Sequence, residues 1–129
     1  MYFLTNKQKG NTSLGIAIAY FSSNGYTVSI PLNDTQDYDL IIEKDNVFQT
    51  VQVKSSGCKN KAGNYQVALK SCGGTKGTTY NTLINTNIDL LFIFLEDHSI
   101  YLIPKEIIKN SSTITISSKY AKYKKTLLQ

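Results

Sequence analysis

The chain has 129 residues, the size of a single domain, and 41% of them are hydrophobic, which is enough for a buried core. Its formal net charge is +5, its pI is about 9.1, and all fourteen basic residues are lysines. It contains no apolar run of about 18 residues, and its start lacks a signal-peptide pattern, so we expect a cytoplasmic protein without a membrane partner.

The first periodic segment predicts an α-helix. Apolar residues fall at positions 14, 17, 18 and 21, which is the i, i+3, i+4, i+7 spacing of one helix face. Thr12 or Ser13 could cap the start, and Gly25 after Asn24 is a stop signal. We therefore expect a helix from about Thr12 to Asn24.

Short β-rich runs separated by polar turns follow this helix. The expected strands are residues 26–31, 38–43, 47–54, 65–69, 88–95 and 100–103, with a last strand around Ile114 and Ile116. The polar turn Lys44-Asp45-Asn46 predicts an antiparallel hairpin between the second and third strands. The nearly continuous apolar run 88–95 is typical of a strand that is buried on both faces.

Two short helices complete the expected elements. One lies between Thr78 and Asn87, and the other covers residues 104–108 with Pro104 at its first position. The tail from Lys119 to Lys125 is basic with interleaved tyrosines. Because the chain shows no internal repeat and no linker, we expect one α/β domain spanning residues 1–129.

The charge and the reactive residues narrow the possible functions. The positive charge favours nucleic acid, because a basic protein releases counterions when it binds a polyanion. Cys58 and Cys72 lack the closely spaced partners of a zinc site, and we expect free thiols. The single histidine, His98, follows Glu96-Asp97 and is expected in a turn. The usual nucleophilic machinery is therefore scarce.

Polar residues on the predicted hairpin form the candidate site. Because side chains alternate across a strand, Gln52 and Lys54 share one face, about 7 Å apart, and must face solvent or a site. Val51 and Val53 occupy the other face and are expected in the core. Asp39 lies between apolar residues on the neighbouring strand, where a carboxylate is costly unless it is solvated, paired or bound to a metal.

This hairpin can bring a carboxylate, an amide oxygen, a backbone carbonyl and a lysine together. Hard oxygen ligands with vacant positions suit Mg²⁺, and such a site can activate water and stabilise charge on a phosphodiester. Lys54 could orient or deprotonate the water and offset negative charge. A solvated hairpin face with a salt bridge would show the same residues, so the spacing alone leaves both interpretations open.

A longer string of residues resembles the PD-(D/E)XK nucleases found as group I intron homing endonucleases and their bacterial relatives. The resemblance covers roughly residues 9 to 108 and is strongest from 24 to 56. The matching segments, in chain order, are Lys9-Gly10, the helix, Gly25-Tyr26-Thr27-Val28-Ser29-Ile30-Pro31-Leu32, Tyr38-Asp39-Leu40-Ile41, Val51-Gln52-Val53-Lys54 and Ile100-Tyr101-Leu102-Ile103-Pro104.

The resemblance implies a restriction-endonuclease-like α/β fold, with a mixed central β-sheet flanked by helices. Asp39 matches the metal-binding aspartate of the family, and Lys54 matches the catalytic lysine. Gln52 stands where most members of the wider superfamily have Glu or Asp, and glutamine is an accepted variant in this branch. The implied metal ligands are Asp39, Gln52 and the carbonyl of Val53, with Mg²⁺ or Mn²⁺ as the cofactor. Double-stranded DNA is the implied partner, and a homodimer or higher homo-oligomer is the implied assembly.

One position departs from the family. Many members carry a glutamate on the first helix, where this chain has Leu14, and the segment from Asn11 to Phe21 contains no acid. The missing charge should weaken metal affinity, or shift the role to Asp37, Asp34 or a phosphate of the DNA.

Three functions follow from these residues. The first is a Mg²⁺-dependent DNA endonuclease; the second is a non-catalytic nucleic-acid-binding module on a degenerate nuclease fold; the third is a structural or regulatory partner protein. The first two require DNA contacts, although a solvated loop explains any single lysine equally well. The lysines expected to contact DNA are Lys9, Lys59, Lys61, Lys70 and Lys76.

Overall fold

A computed structural model describes residues 5–33, 35–69, 71–72, 80–81, 87–108 and 112–127. One long helix precedes a series of strands. The elements in chain order are α1 (Asn6–Ser23), β1 (Thr27–Ser29), β2 (Leu40–Lys44), β3 (Val47–Ser56), β4 (Tyr65–Ala68), β5 (Ser71–Cys72), β6 (Tyr80–Asn81), β7 (Leu90–Leu95), β8 (Ile100–Pro104), the 3₁₀ helix Lys105–Ile107, β9 (Thr113–Ile116), the 3₁₀ helix Ser118–Tyr123 and β10 (Lys124–Lys125).

Helix α1 starts earlier than the apolar spacing predicts. Thr5 is the N-cap, and its side chain and that of Gln8 form a reciprocal capping box. The expectation that Thr12 or Ser13 caps the helix is wrong: both lie inside it, and each hydroxyl donates to the carbonyl one turn earlier, at 2.9 Å. The apolar spacing does not predict the start of α1 because the first two turns of the helix are polar.

The end of α1 is confirmed. Asn24 is the C-cap, and its side-chain amide donates to the Tyr20 carbonyl at 2.7 Å. Gly25 follows with φ of +86°, a left-handed conformation that glycine adopts without strain. On the inner face of the helix, Ala17, Tyr20 and Phe21 are buried against the sheet.

The central sheet is mixed, as expected. Its strand order is β1-β2-β3-β7-β8-β10, with β3 and β7 parallel and the other neighbours antiparallel. The predicted β2–β3 hairpin is confirmed, and it turns through Asp45 and Asn46 with φ of 53° and 65°. Positive φ at both central residues is the type I′ arrangement that matches the twist of paired strands.

Strand β7 occupies the centre of the fold, which confirms the prediction from its apolar run. Residues 91–95 are all buried, between β3 on one side and β8 on the other. Phe92 packs with the α1 core, whereas Leu91 and Ile93 pack with Val67 of β4 and Ile114 of β9. Each such fully buried side chain contributes roughly 1.5–3 kcal/mol to folding.

Strands β4 and β9 form a separate antiparallel pair on the face opposite α1. The strand expected around Ile114 and Ile116 is confirmed as β9. It is not the last strand, because β10 follows it in the chain. The Ser56 hydroxyl fastens β4 to the end of β3: it donates to the Gln66 carbonyl and accepts the Cys58 N–H at 3.1 Å.

The remaining expectations have mixed outcomes. The helix at 104–108 is a 3₁₀ turn, and Pro104 is its N-cap rather than its first residue. In the segment from Thr78 to Asn87, where a helix was expected, Tyr80–Asn81 is a strand instead, and positions 78, 79 and 82–86 lie outside the described residues. Within the described part of the chain, no helix is long and apolar enough to cross a membrane.

Candidate active site

The candidate site lies at the edge of β3, where β2 has not yet begun. Asp39 directly precedes β2, and its N–H donates to the Val51 carbonyl at 2.8 Å. One oxygen of its carboxylate, Oδ2, accepts the Val53 N–H at 2.7 Å. Because Leu40 is the first residue of β2 and pairs with Val51, Asp39 lies beside the stretch of β3 from Val51 to Val53. The hairpin therefore brings the three predicted positions to one edge of the sheet.

On the side of β3 that faces β2, Val53 lies beyond the residues that pair with β2. The N–H and carbonyl of one residue point to the same side of a strand. The Val53 N–H reaches the Asp39 carboxylate, so the Val53 carbonyl is also directed toward the side where Asp39 lies. A backbone oxygen is thereby available beside the carboxylate.

Gln52 is more deeply buried than the sequence suggested. It pairs in register with Leu91 and is only 5% exposed, so it does not face solvent. Its side-chain oxygen, Oε1, is buried and has no hydrogen-bond partner among the described residues. An unpaired amide oxygen in this position costs free energy unless a ligand completes it. Val53, expected in the core, is half-buried.

Asp39 and Lys54 perturb each other in a partly dehydrated setting. Desolvation raises the pKa of the Asp39 carboxyl, and the Val53 N–H and Lys54 only partly oppose this effect. Desolvation also lowers the pKa of the Lys54 ammonium, with Asp39 opposing. Part of Asp39 still reaches solvent. Both groups are therefore less stable in their charged forms than in water, which is typical of functional sites.

This raised pKa predicts that Asp39→Asn does not destabilise the metal-free protein at neutral pH, so that its Tm equals or slightly exceeds that of the wild type. A carboxyl whose folded pKa is raised loses stability as pH rises through that pKa, and the shift already includes the attraction of Lys54. Asparagine keeps an oxygen that can accept the Val53 N–H. Thermal unfolding in EDTA should show the Tm difference shrinking as pH falls into the ordinary carboxyl range; a variant less stable at neutral pH would contradict this assignment.

A cavity of about 260 Å³ joins this edge to helix α1. Gln52 does not line this cavity. Ser55 lines it, although the sequence did not predict Ser55 as a site residue. No sequence signal distinguishes Ser55 from other strand serines. The residues that line the cavity include Gly10, Ser13, Leu14, Asp39, Val53, Lys54 and Ser55.

The helical wall of this cavity provides no acid. Leu14 faces the cavity, and the Ser13 hydroxyl on the same wall is committed to the Lys9 carbonyl. No group of three or more His, Cys, Asp or Glu side chains that could hold a metal occurs in the described part of the chain. A bound cation would therefore rely on one carboxylate and on neutral oxygens.

The other predicted residues lie on α1 and in loops of the sheet. Lys9 is half-buried on α1; Lys59 and Lys61 are exposed in the loop between β3 and β4, where the Lys59 ammonium lies 4.8 Å from the Tyr65 ring centroid. His98 is in the β7–β8 turn, as expected, and its ring stacks on Phe94. Cys58 is a free thiol. The predictions for Asp34, Lys70, Lys76 and the Cys72 side chain lie outside the described residues.

Comparison with known proteins identifies the fold and the family of the chain. The bacterial homing endonuclease I-Ssp6803I has a similar fold, with a TM-score of 0.79 at 24% sequence identity over 94% of this chain and 89% of that one. A search of curated proteins gives no significant match. The sequence model of the PD-(D/E)XK endonucleases matches residues 4–127. Because this match spans nearly the whole chain, the protein belongs to the PD-(D/E)XK endonuclease family.

Proposed function

We propose that the protein is a Mg²⁺- or Mn²⁺-dependent DNA endonuclease of the homing type, with Asp39, Gln52 and Lys54 as its active-site residues. One observation carries the proposal: the Asp39 carboxylate is fixed by the Val53 N–H in a cavity that Lys54 also lines. Membership of an endonuclease family supports hydrolysis of DNA. The double-stranded substrate and an assembly of two or more copies are part of the same proposal.

The residues at this edge fit a hard divalent cation. The unpartnered Gln52 oxygen, the Val53 carbonyl and the Asp39 carboxylate are oxygen donors, which Mg²⁺ and Mn²⁺ prefer. When bound, the ion supplies electrostatic stabilisation of a phosphodiester and activation of water. Asp39 is the residue that would hold it by charge.

Lys54 is suited to proton transfer and charge stabilisation. Desolvation lowers the pKa of its ammonium, so the amine can release or accept a proton nearer to neutral pH than an exposed lysine can. In its charged form, Nζ can stabilise the negative charge that develops on a phosphodiester. Asp39 orients the group by its charge from across the same cavity.

Plasmid nicking tests the proposal. Supercoiled DNA should be converted to open-circular or linear DNA in the presence of Mg²⁺ or Mn²⁺, and EDTA should abolish the conversion. Because the homing target sequence is undefined, Mn²⁺ and low salt should be included to relax specificity. Absence of cleavage with every divalent ion would refute the enzymatic function.

A non-catalytic DNA-binding module is the second candidate, and Leu14 is the observation that favours it. An apolar residue lines the cavity where a further acid would strengthen metal binding. This candidate predicts salt-sensitive DNA binding that survives Asp39→Asn, without cleavage under any metal. The nicking assay separates the two functions directly.

A further inference from the structure

A second cavity continues from the candidate active site. It has a volume of about 360 Å³ and shares Ser55 with the first cavity. Its walls include Asn6 and Lys9 of α1, Ser56 of β3, and Glu96 after β7. The proposed mechanism uses none of these four side chains.

The two cavities lie between α1 and β3 and share Ser55, and we refer to them together as the trough, with the first cavity as its first section and the second cavity as its second section. Gly10 and Lys54 line the first section, whereas Asn6 and Ser56 line the second, so the helix and the strand run in opposite directions. Four helical residues correspond to about 6 Å. Two strand residues correspond to about 7 Å. Both lengths are comparable with the spacing of neighbouring phosphates along a nucleic-acid strand.

Two polar groups in the second section are uncommitted. The Lys9 ammonium and the Ser55 hydroxyl make no hydrogen bond or ion pair with any described residue. Both residues are half-buried, so their orientations are restricted by the walls of the trough. Lys7, two positions earlier on the same helix, is exposed and does not line the trough.

We propose that Lys9 and Ser55 bind the phosphodiester adjacent to the scissile one. This inference rests on the proposed function, because it defines the path of the DNA strand through the same site. A cation and a hydroxyl donor directed into one groove are the groups that contact phosphate oxygens without reading sequence. Lys9 thereby fixes the scissile phosphodiester one nucleotide away, beside Asp39 and Lys54.

Glu96 provides a test of opposite sign. Its carboxylate lies beside Gly57, so close that a Cβ at this position would have to displace the Glu96 side chain. This places a negative charge in the section that the phosphate would occupy. If the DNA strand follows this trough, the charge of Glu96 weakens DNA binding, and its neutralisation strengthens DNA binding.

Fluorescence anisotropy with a short labelled DNA duplex in EDTA tests the inference. Lys9→Gln should weaken binding about tenfold at low salt, and loss of one phosphate contact should reduce the slope of log affinity against log salt by about 0.9. Glu96→Gln should tighten binding about fivefold. The matched control Lys7→Gln, with the same charge change on the same helix, should remain within about twofold of wild type.

The outcomes separate this inference from the proposed function. Equal weakening of DNA binding by Lys9→Gln and Lys7→Gln would overturn the inference, because it would mean that both variants act only through the net charge of the protein. Absence of DNA binding by the wild type would overturn it as well. If the wild type binds DNA with the expected variant pattern but never cleaves it, the phosphate site stands and the enzymatic function fails. In nicking assays, Lys9→Gln should lower kcat/KM about tenfold.

Discussion

Lys54→Ala should reduce DNA cleavage about a thousandfold, the loss expected when a group that transfers a proton in the transition state is removed. Desolvation of Lys54 lowers the pKa of its ammonium and thereby prepares it for this role, and Lys54 lines the cavity that holds the Asp39 carboxylate. The variant should fold, because it removes a charged group that burial disfavours. Single-turnover cleavage of plasmid with saturating Mn²⁺ measures the effect without a contribution from product release.

Two controls sharpen this result. Lys7→Ala removes the same charge from an exposed position on α1 and should retain cleavage within a few fold. Lys54→Arg keeps the positive charge but cannot release a proton at accessible pH. Loss of cleavage in Lys54→Arg would assign proton transfer to Lys54, whereas substantial retention would assign charge stabilisation. Robust cleavage by Lys54→Ala would refute both roles.

Leu14→Glu should increase affinity for Mn²⁺ about tenfold or more, because one added carboxylate raises the charge of the ligand set. Leu14 lines the same cavity as Asp39 and Val53, and a glutamate there has the length to approach the carboxylate. The substitution loses part of the contact between Leu14 and the α1 core, at a cost of about 1–2 kcal/mol. Isothermal titration calorimetry on the folded variant measures the change in affinity.

Leu14→Gln is the matched control for this experiment. It has nearly the same size as the glutamate and an oxygen donor, but no charge, so it should bind Mn²⁺ with close to wild-type affinity. If the Glu and Gln variants bind Mn²⁺ with equal affinity, a carboxylate at position 14 does not contact the ion. If Leu14→Glu also increases cleavage, the low charge of the natural site limits its activity. Tighter metal binding without any cleavage would favour the DNA-binding module.

The hairpin part of the site could be predicted because its determinants are local. A polar turn between two apolar runs fixes an antiparallel register, and strand alternation separates Gln52 and Lys54 from Val51. This register places Asp39 beside the stretch of β3 that contains Gln52. Likewise, the apolar run of β7 is sufficient to predict a strand buried on both faces. The roles of these residues in metal binding and cleavage remain predictions.

The helical wall could not be predicted in the same way. The apolar period begins at Leu14, so it reveals the part of α1 that packs on the sheet and not the polar turns that start at Asn6. Those turns line the trough beside Ser55 and Ser56, residues about fifty positions away in the chain. Periodicity reports which face of a helix is buried, and it contains no information about which strand end lies next to a polar turn.

By itself, the sequence determined the β2–β3 hairpin, the mixed α/β class and the alignment of Asp39 with Gln52 and Lys54, because turn chemistry and side-chain alternation act over a few residues. Only the tertiary structure decided that Gln52 is buried with an unpartnered oxygen, since its burial depends on the parallel pairing of β3 with β7 and on the β4–β9 layer. It also decided that Leu14 and Lys9 border the site. These features arise from contacts between distant segments, and side-chain chemistry along one strand does not encode them.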